Sequence, residues 1–477
     1  MVVSTMRRVV INPGLAALAL ALAFTGCASA PDYTRPEVKV PTSYREGAPW
    51  KEAQPADALP KGRWWSIFGD KELDSLQDRV SVANQDLAAA LARIAQARAA
   101  ARAAGADSLP SFEFNPSAER RQTSDDLSPG GQGQVFTTLR APVDLSYELD
   151  LFGRVRRSVE AADSGYRASL ADFENVLLTL QADTARVYFE LRSLDSQVEL
   201  LGQTLELRRR NLDLVRSLFD NGQVSRLDLA RAETELASAR ADISGLKRER
   251  GNREHALAVL AGEPASVFSL PPKPLEPGTQ PPTVLPGLPS SLLERRPDIA
   301  AAERRLMAAN ARIGAARAAF FPSITLTGSA GFASDELGSI FQWGNRAWAL
   351  GPFVSLPIFD GGRNQAALDQ ARGQWEESVA RYRQQILVAF AEVEDSLSDL
   401  ALLAQQSEAL REAAVSAHKA AELTDKRYRA GRVSYLEVVV SQRTALAADF
   451  LAVRVLGLRL QASVTLVKAL GGGWEEL

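Results

Sequence analysis

The chain has a single cysteine and two histidines in 477 residues, and aromatic side chains make up only 7% of it. With Cys27 alone, no disulfide can form within the chain. The histidines, His255 and His418, stand far apart inside helical patterns, so a solvated or interhelical role is expected rather than metal ligation. A basic excess is missing too: 55 Lys and Arg face 58 Asp and Glu, a net charge of −3, which speaks against a nucleic-acid partner. No glycine-rich run leads into Lys-Ser or Lys-Thr, so there is no phosphate loop. No catalytic constellation emerges, no cofactor is implied, and the chain does not read as an enzyme. Past the N-terminus no apolar run has the length of a transmembrane helix, so any membrane-spanning part must be built of strands.

Proline is missing over two long stretches, between Pro142 and Pro264 and again after Pro357. Between Arg154 and Leu218 the only glycines are Gly165 and Gly202, and between Arg363 and Tyr428 the only one is Gly373. Without breakers, each stretch predicts a helix of about 100 Å, far longer than an ordinary globular helix. Apolar residues recur at three- and four-residue steps, as at Val176, Leu180, Val187 and Leu191, among Arg, Glu, Asp and Gln. That pattern suits helices packed side by side with one wet face. Each long helix ends at a turn signal, Asp220-Asn221-Gly222 or Ala430-Gly431, and a second helix returns. Gly222 and Gly431 are expected to supply the positive φ of those turns. Shorter Ala- and Arg-rich helices are expected from Leu73 to Ala104 and from Ile299 to Ala319.

The N-terminus reads as a signal peptide over residues 1–26, with Arg7 and Arg8 ahead of an apolar region from Val9 to Phe24 that Asn12-Pro13 interrupts. Leu22-Ala23-Phe24-Thr25-Gly26-Cys27 resembles a bacterial lipobox, although Phe24 stands where that motif usually has Leu. The resemblance implies a lipid on Cys27 as the first mature residue, and Ala28 after it implies the outer membrane. Ordinary cleavage after Ala28-Ser29-Ala30 is the alternative. Residues 27–62 carry Pro31, Pro36, Pro41, Pro55 and Pro60 and should be extended chain.

The body of the chain is a tandem duplication. Phe152-Gly153-Arg154 corresponds to Gly361-Gly362-Arg363, and Gly222-Gln223-Val224-Ser225-Arg226-Leu227-Asp228 to Gly431-Arg432-Val433-Ser434-Tyr435-Leu436-Glu437, both 209 residues apart. Upstream, Pro110-Ser111-Phe112 pairs with Pro322-Ser323-Ile324 at 212. Constant spacing between separate markers is the mark of two copies of one unit. Each unit reads as helix, β-hairpin, long helix, turn and helix. The copies span residues 63–262 and 298–470, joined by a Pro-rich connector, 263–297, and followed by a tail, 471–477.

Strands are expected at about 111–119, 134–150, 322–333 and 347–359. Val135, Thr137, Leu139, Ala141, Val143, Leu145, Tyr147 and Leu149 alternate with Thr138, Arg140, Asp144, Ser146 and Glu148, and Ile324, Leu326, Ala330 and Phe332 with Ser323, Thr325, Thr327 and Ser329. Trp348, Leu350, Val354 and Leu356 continue the theme, though Phe353 breaks it. One apolar and one polar face suits a strand between lipid and a watery lumen. A soluble sandwich is the alternative. Four strands cannot close a barrel, and open edges cannot sit in lipid, so the membrane reading requires several copies.

Further motifs complete a pattern: Trp64-Trp65 with Phe68 and Leu73, Asn84-Gln85-Asp86-Leu87, Glu294-Arg295-Arg296-Pro297-Asp298-Ile299, Ala319-Phe320-Phe321-Pro322 and Lys468-Ala469-Leu470-Gly471-Gly472-Gly473-Trp474. In this order they resemble the TolC-like outer membrane efflux proteins, above all the lipoprotein branch of nodulation-T and OprM type, over nearly the whole mature chain. The resemblance implies a mainly α protein with a transmembrane β-barrel portion. It further implies a homotrimer sharing one 12-stranded barrel and a long periplasmic α-helical barrel. Implied partners are a periplasmic adaptor (membrane fusion) protein, an inner-membrane proton-driven exporter and outer-membrane lipid.

In that family the tip of the second repeat closes the periplasmic mouth. Here the corresponding segment runs from Tyr428 through Arg432 to Glu437, Val438, Val439 and Val440. Three copies of Glu437 would attract cations, and rings of Val438, Val439 and Val440 would dewet the passage. Related channels often carry Asp where this chain has Val440; Glu437 is the substitute expected here, with solvent exposure or an arginine partner as its alternative. Tyr428 and Arg432 are expected to contribute polar contacts that hold the closed state. A passive exit duct for drugs or other small toxic compounds is the leading function. A duct for type I protein secretion and a coiled-coil lipoprotein without a pore are the competitors.

Overall fold

The structure is a computed structural model that describes residues 33–37, 62–127, 132–276, 278–282 and 295–472. Cys27, the residue expected to carry lipid, lies outside the described residues, as does Trp474. After a short 3-10 turn, Trp64–Phe68, come α1 (Lys71–Ala83), α2 (Gln85–Ala106), β1 (Ser111–Phe114), β2 (Ser117–Gln122), β3 (Val135–Leu149), α3 (Arg154–Asp220) and α4 (Arg226–Leu260). The second half has α5 (Pro297–Ala318), β4 (Ser323–Ser334), β5 (Arg346–Ser355), α6 (Arg363–Arg429) and α7 (Tyr435–Ala469). The copies match in length: α3 and α6 have 67 residues each, α4 and α7 have 35, and α2 and α5 have 22.

The chain forms two compact units. One comprises Met1–Glu37, Ile94–Ser169 and Ala302–Tyr382; the other comprises Val38–Arg93, Leu170–Ala301 and Arg383–Leu477. The first holds the sheet, ordered β1–β3–β4–β5 with β2 also on β3, all pairs antiparallel. The first expected strand, at about 111–119, is corrected to two segments reaching Gln122. Phe114 faces Val143 and Ser117 faces Arg140, so both segments keep one register on β3. Pro116 has no N–H to give the ladder and sits where the strand is interrupted. Between the segments Asn115 N donates to Pro142 O at 3.3 Å. The chain thus supplies four strand positions, and neither β5 nor β1 and β2 has a strand on its outer edge among the described residues.

Cross-strand partners lie on the same face, so the registers sort the side chains. Phe114, Val143, Ala330 and Trp348 share one row, and Leu149, Ile324 and Val354 another, on an apolar face. Glu113, Asp144 and Ser329, then Ser111, Ser146 and Thr327, occupy the opposite, polar face. Phe353, opposite Thr325, falls on the polar face.

The helix expected from Leu73 to Ala104 is corrected to two helices broken at Asn84. Asn84 sits in extended backbone, φ −66° and ψ 129°. Its Oδ1 accepts from Leu87 N at 3.0 Å, starting α2, and its Nδ2 donates to Leu260 O at 2.8 Å, finishing α4. In the second repeat Arg296 stands at the equivalent place and donates to Ala469 O at the end of α7, at 2.9 Å. The same carbonyl, one repeat on, is thus satisfied by an amide in one copy and a guanidinium in the other. Arg296 is buried and holds Asp298 at 2.6 Å and Glu392 at 2.6 Å. This gives the Arg-Pro-Asp segment a physical role.

The second unit's core gathers Trp64, Trp65, Leu73, Tyr188, Leu191, Leu257, Leu460 and Val464. Against it lies a buried charge network. Asp195 accepts from Arg192 Nη1 at 2.7 Å, from Arg250 Nε at 2.6 Å and from the Lys273 backbone at 3.0 Å. Arg192 also donates to Pro271 O at 2.9 Å, and Arg250 to Leu270 O at 2.6 Å. The connector is therefore stitched to α3 and α4 by side chains that satisfy its backbone, as a buried loop requires.

One expectation about membrane helices is corrected by α7, which is long and apolar enough by length and composition to span a bilayer. Among its apolar residues, Val455, Leu460, Val464, Leu466 and Val467 are buried within the chain's own packing, while Leu436, Val440, Leu451 and Leu458 are exposed. Gly457 permits that packing, because a Cβ there would lie 2.7 Å from Ser193 on α3.

Candidate gate at the helix tips

Both tips close with glycine in the left-handed region, Gly222 at φ 71° and Gly431 at φ 68°. Gln223 N reaches back to Leu218 O at 2.8 Å, and Arg432 N to Arg427 O at 2.9 Å, satisfying carbonyls at the helix ends. The returning helices then begin at serine. Asp228 N donates to Ser225 Oγ at 3.2 Å, and Ser225 N to Asp228 Oδ2 at 3.4 Å, a reciprocal cap. In the second repeat Ser434 N points at Glu437 Oε1, 3.5 Å away. Glu437 is thus exposed and doubles as the residue that caps α7.

The valine triplet divides. Val438 and Val439 are 2% and 8% exposed and pack with Leu212, Val215, Ala232, Leu236 and Tyr435. This corrects the expectation of three valine rings, because the helical period turns two of the three inward. Val440 is 54% exposed, and Arg432 is exposed as well. Tyr428 lies against Tyr435 with ring centroids 5.8 Å apart. Its buried hydroxyl has no hydrogen-bond partner among the described residues. Burial first, then the Asp228 carboxylate, pushes that phenol above its ordinary range.

Behind the tip lies a cluster that sequence reasoning missed. Glu235, 6% exposed, pairs with Arg208 on α3 and accepts from Arg443 Nε on α7 at 3.2 Å. Burial, and then the neighbouring Arg443, pulls Arg208 below the ordinary arginine range. Asn211 adds a bond to Gln442 at 3.2 Å. The available signal was one charge, Glu235, within the otherwise apolar stripe Ala232, Leu236 and Ala239. A cleft of about 700 Å³ opens beside this cluster, lined by Arg208, Glu235, Asp242, Glu249, Arg443 and Phe450. Further along, His418 on α6 meets Asp449 on α7 at 2.8 Å, an interhelical contact. Among the described residues no group of three or more His, Cys, Asp or Glu could hold a metal.

The sequence matches the outer membrane efflux protein family over residues 76–263 and 288–472, one segment per repeat. The protein is 36% identical to the outer membrane protein OprJ of Pseudomonas aeruginosa over 97% of this chain and 96% of OprJ. The chain belongs to the outer membrane efflux protein family. Another relative is the toluene efflux pump outer membrane protein TtgC of Pseudomonas putida, 35% identical over 94% of this chain and 93% of TtgC. Among solved structures, the outer-membrane channel OprN matches with a TM-score of 0.85 at 30% identity, covering 94% of this chain and all of that one (100%). CusC matches with a TM-score of 0.83 at 31% identity, over 93% of this chain and 99% of CusC. As an outer membrane efflux protein, the chain is a channel subunit of the bacterial outer membrane that extends into the periplasm.

Proposed function

We propose that three copies of this chain close one barrel of twelve strands and serve as the passive outer duct of a tripartite pump. The carrying observation is the sheet of four strand positions, with one apolar face and no strand on either outer edge among the described residues. In a bilayer each open edge needs a partner strand, and the neighbouring copy supplies it. Chemical crosslinking in mild detergent is expected to stop at three chains. A folded, monodisperse monomer would contradict the barrel.

The partners are a periplasmic adaptor and an inner-membrane proton-driven exporter, which supplies the energy for transport. The cargo is of the small, toxic kind, since relatives carry the names of toluene and antibiotic efflux pumps. These names favour this reading over protein secretion, and the two-faced sheet favours it over a coiled coil without a pore. Cys27 carries the lipid. Tyr33, six residues on, donates to Glu303 at 3.3 Å, and Arg35 pairs with the same carboxylate.

The gate is the second-repeat tip. Arg432, Glu437 and Val440 face the passage, while Val438 and Val439 hold the helix that carries them. Tyr428, with its unpaired hydroxyl near Asp228, is the contact that an adaptor disturbs. Glu437→Gln keeps an oxygen for the cap and should weaken cation selectivity in planar bilayers. Val440→Ser should raise single-channel conductance by about twofold, by wetting a narrow apolar ring. If neither change alters conductance or selectivity, the constriction lies elsewhere.

A further inference from the structure

The first residue of β5, just after the β4–β5 loop, is an arginine on the apolar face. Arg346 pairs with Phe332 across the sheet, in the row that continues the apolar face through Ala141. Its guanidinium lies 4.8 Å from the Trp343 ring centroid and donates to Trp343 O at 2.9 Å. Phe341 folds back onto Phe332, centroids 5.7 Å apart and nearly perpendicular. Trp343, Phe341 and Trp348 are each more than 70% exposed: 75%, 73% and 78%. Arg346 is itself exposed and makes no ion pair with a carboxylate among the described residues.

The height of this arginine follows from the strand. From Ile324 to Phe332 the apolar face runs eight residue steps, about 27 Å along the strand. A tilt of about 40° makes that roughly 20 Å of height, close to the apolar band of outer-membrane barrels. At the lower end Phe152 stacks on Phe321 at 4.9 Å, and at the upper end stand the aromatics around Arg346. Both helices that flank this hairpin, α5 and α6, join the sheet at the opposite end from the loop, so Arg346 lies at the outer boundary. A cation facing hydrocarbon is tolerated only where an anion or water meets it, and a guanidinium in an aromatic frame is built for phosphate. Arg120, opposite Thr137, puts a second cation on the same face two rows further out.

We propose that Arg346, framed by Trp343, Phe341 and Phe332, binds the phosphate of a phosphorylated lipid headgroup in the outer leaflet. The site rests on the barrel reading above, which makes the apolar face the lipid face, and it continues that face into the headgroup layer.

The purified full-length protein in mild detergent is incubated with bisphosphorylated lipid A or with the same glycolipid after phosphatase treatment. Bound lipid is counted by native mass spectrometry. The wild type should retain the phosphorylated form about tenfold better. Arg346→Gln should fall to the dephosphorylated level, and Arg346→Lys should retain an intermediate amount. Arg121→Gln, on the polar face opposite Phe136, should match the wild type. Equal retention of the two lipids, or Arg346→Gln binding as well as wild type, overturns the site. So does an equal loss in Arg121→Gln. Assembly is read separately from the heat-resistant trimer band. Its absence in the wild type would strike the barrel reading, and its absence only in Arg346→Gln leaves the two-lipid comparison on wild type to decide.

Discussion

Asp195→Ala is expected to destabilise the second unit by about 3–5 kcal/mol, the range for stripping one partner from a buried charge network. Asp195 has 1% of its side chain exposed and takes bonds from Arg192, Arg250 and the Lys273 backbone. Alanine leaves two guanidiniums facing an apolar hole and an orphaned N–H in the connector. Arg192 keeps Glu72 at 2.8 Å and Arg250 keeps Glu254 at 3.0 Å, so the network is crippled rather than erased. A circular-dichroism melt should shift down by many degrees, with Asp195→Asn between alanine and wild type. A melt within a degree or two of wild type would mean that the network contributes little. Acid probes the same wall through Asp70. Burial alone would raise its pKa, but hydrogen bonds from Lys273, Tyr188 and the backbone of Glu72 and Leu73 outweigh it, leaving the carboxyl below the usual range. Its stabilisation is present above the unfolded carboxylate pKa, about 4, and is lost as pH falls through the lower folded value. Asp70→Asn should flatten that acid limb.

Gly331→Ala should abolish assembly of the heat-resistant trimer. A Cβ at Gly331 would lie 2.2 Å from Ala141 O and 2.6 Å from Pro142 Cα, both backbone atoms of the neighbouring strand. Neither can step aside without breaking the β3–β4 ladder, and the expected loss exceeds about 4 kcal/mol. Gly328, three residues away on β4, is the internal control. A Cβ there meets Leu350 Cδ1 at 3.1 Å and Leu145 side-chain carbons at 3.4 Å, which can give way. Gly328→Ala should assemble. If Gly331→Ala assembles as well as Gly328→Ala, the strands are less closely set than the structure has them.

Much of the fold was legible because breakers and spacing are local signals. The missing prolines marked α3 and α6, and the 209-residue repeat foretold two copies of equal length. Pro116 was just as visible in the sequence, although one strand was expected to run through it. What pattern could not supply was direction. α7 is apolar on most sides, so nothing in its sequence separates Val438 and Val439, which face the core, from Val440, which does not. The buried charges were hidden for the opposite reason: Arg192, Asp195 and Arg250 look like any polar stripe on a long helix until the connector folds over them. Asn84 and Arg296 were invisible as equivalents because the two copies solved one hydrogen-bonding problem with different chemistry.

The equal lengths of α3 and α6 also constrain how such a chain can change over generations. Deleting one residue from α3 alone would turn everything beyond it by about 100° and draw it back about 1.5 Å. Leu212 and Val215 would then miss Tyr435 and Val438, which they meet at the tip. Point substitutions on the wet faces leave that meshing alone. Insertions and deletions in this lineage should therefore collect in the loops around 122–135 and 334–346 and in the connector, while the helices change letter by letter at fixed length.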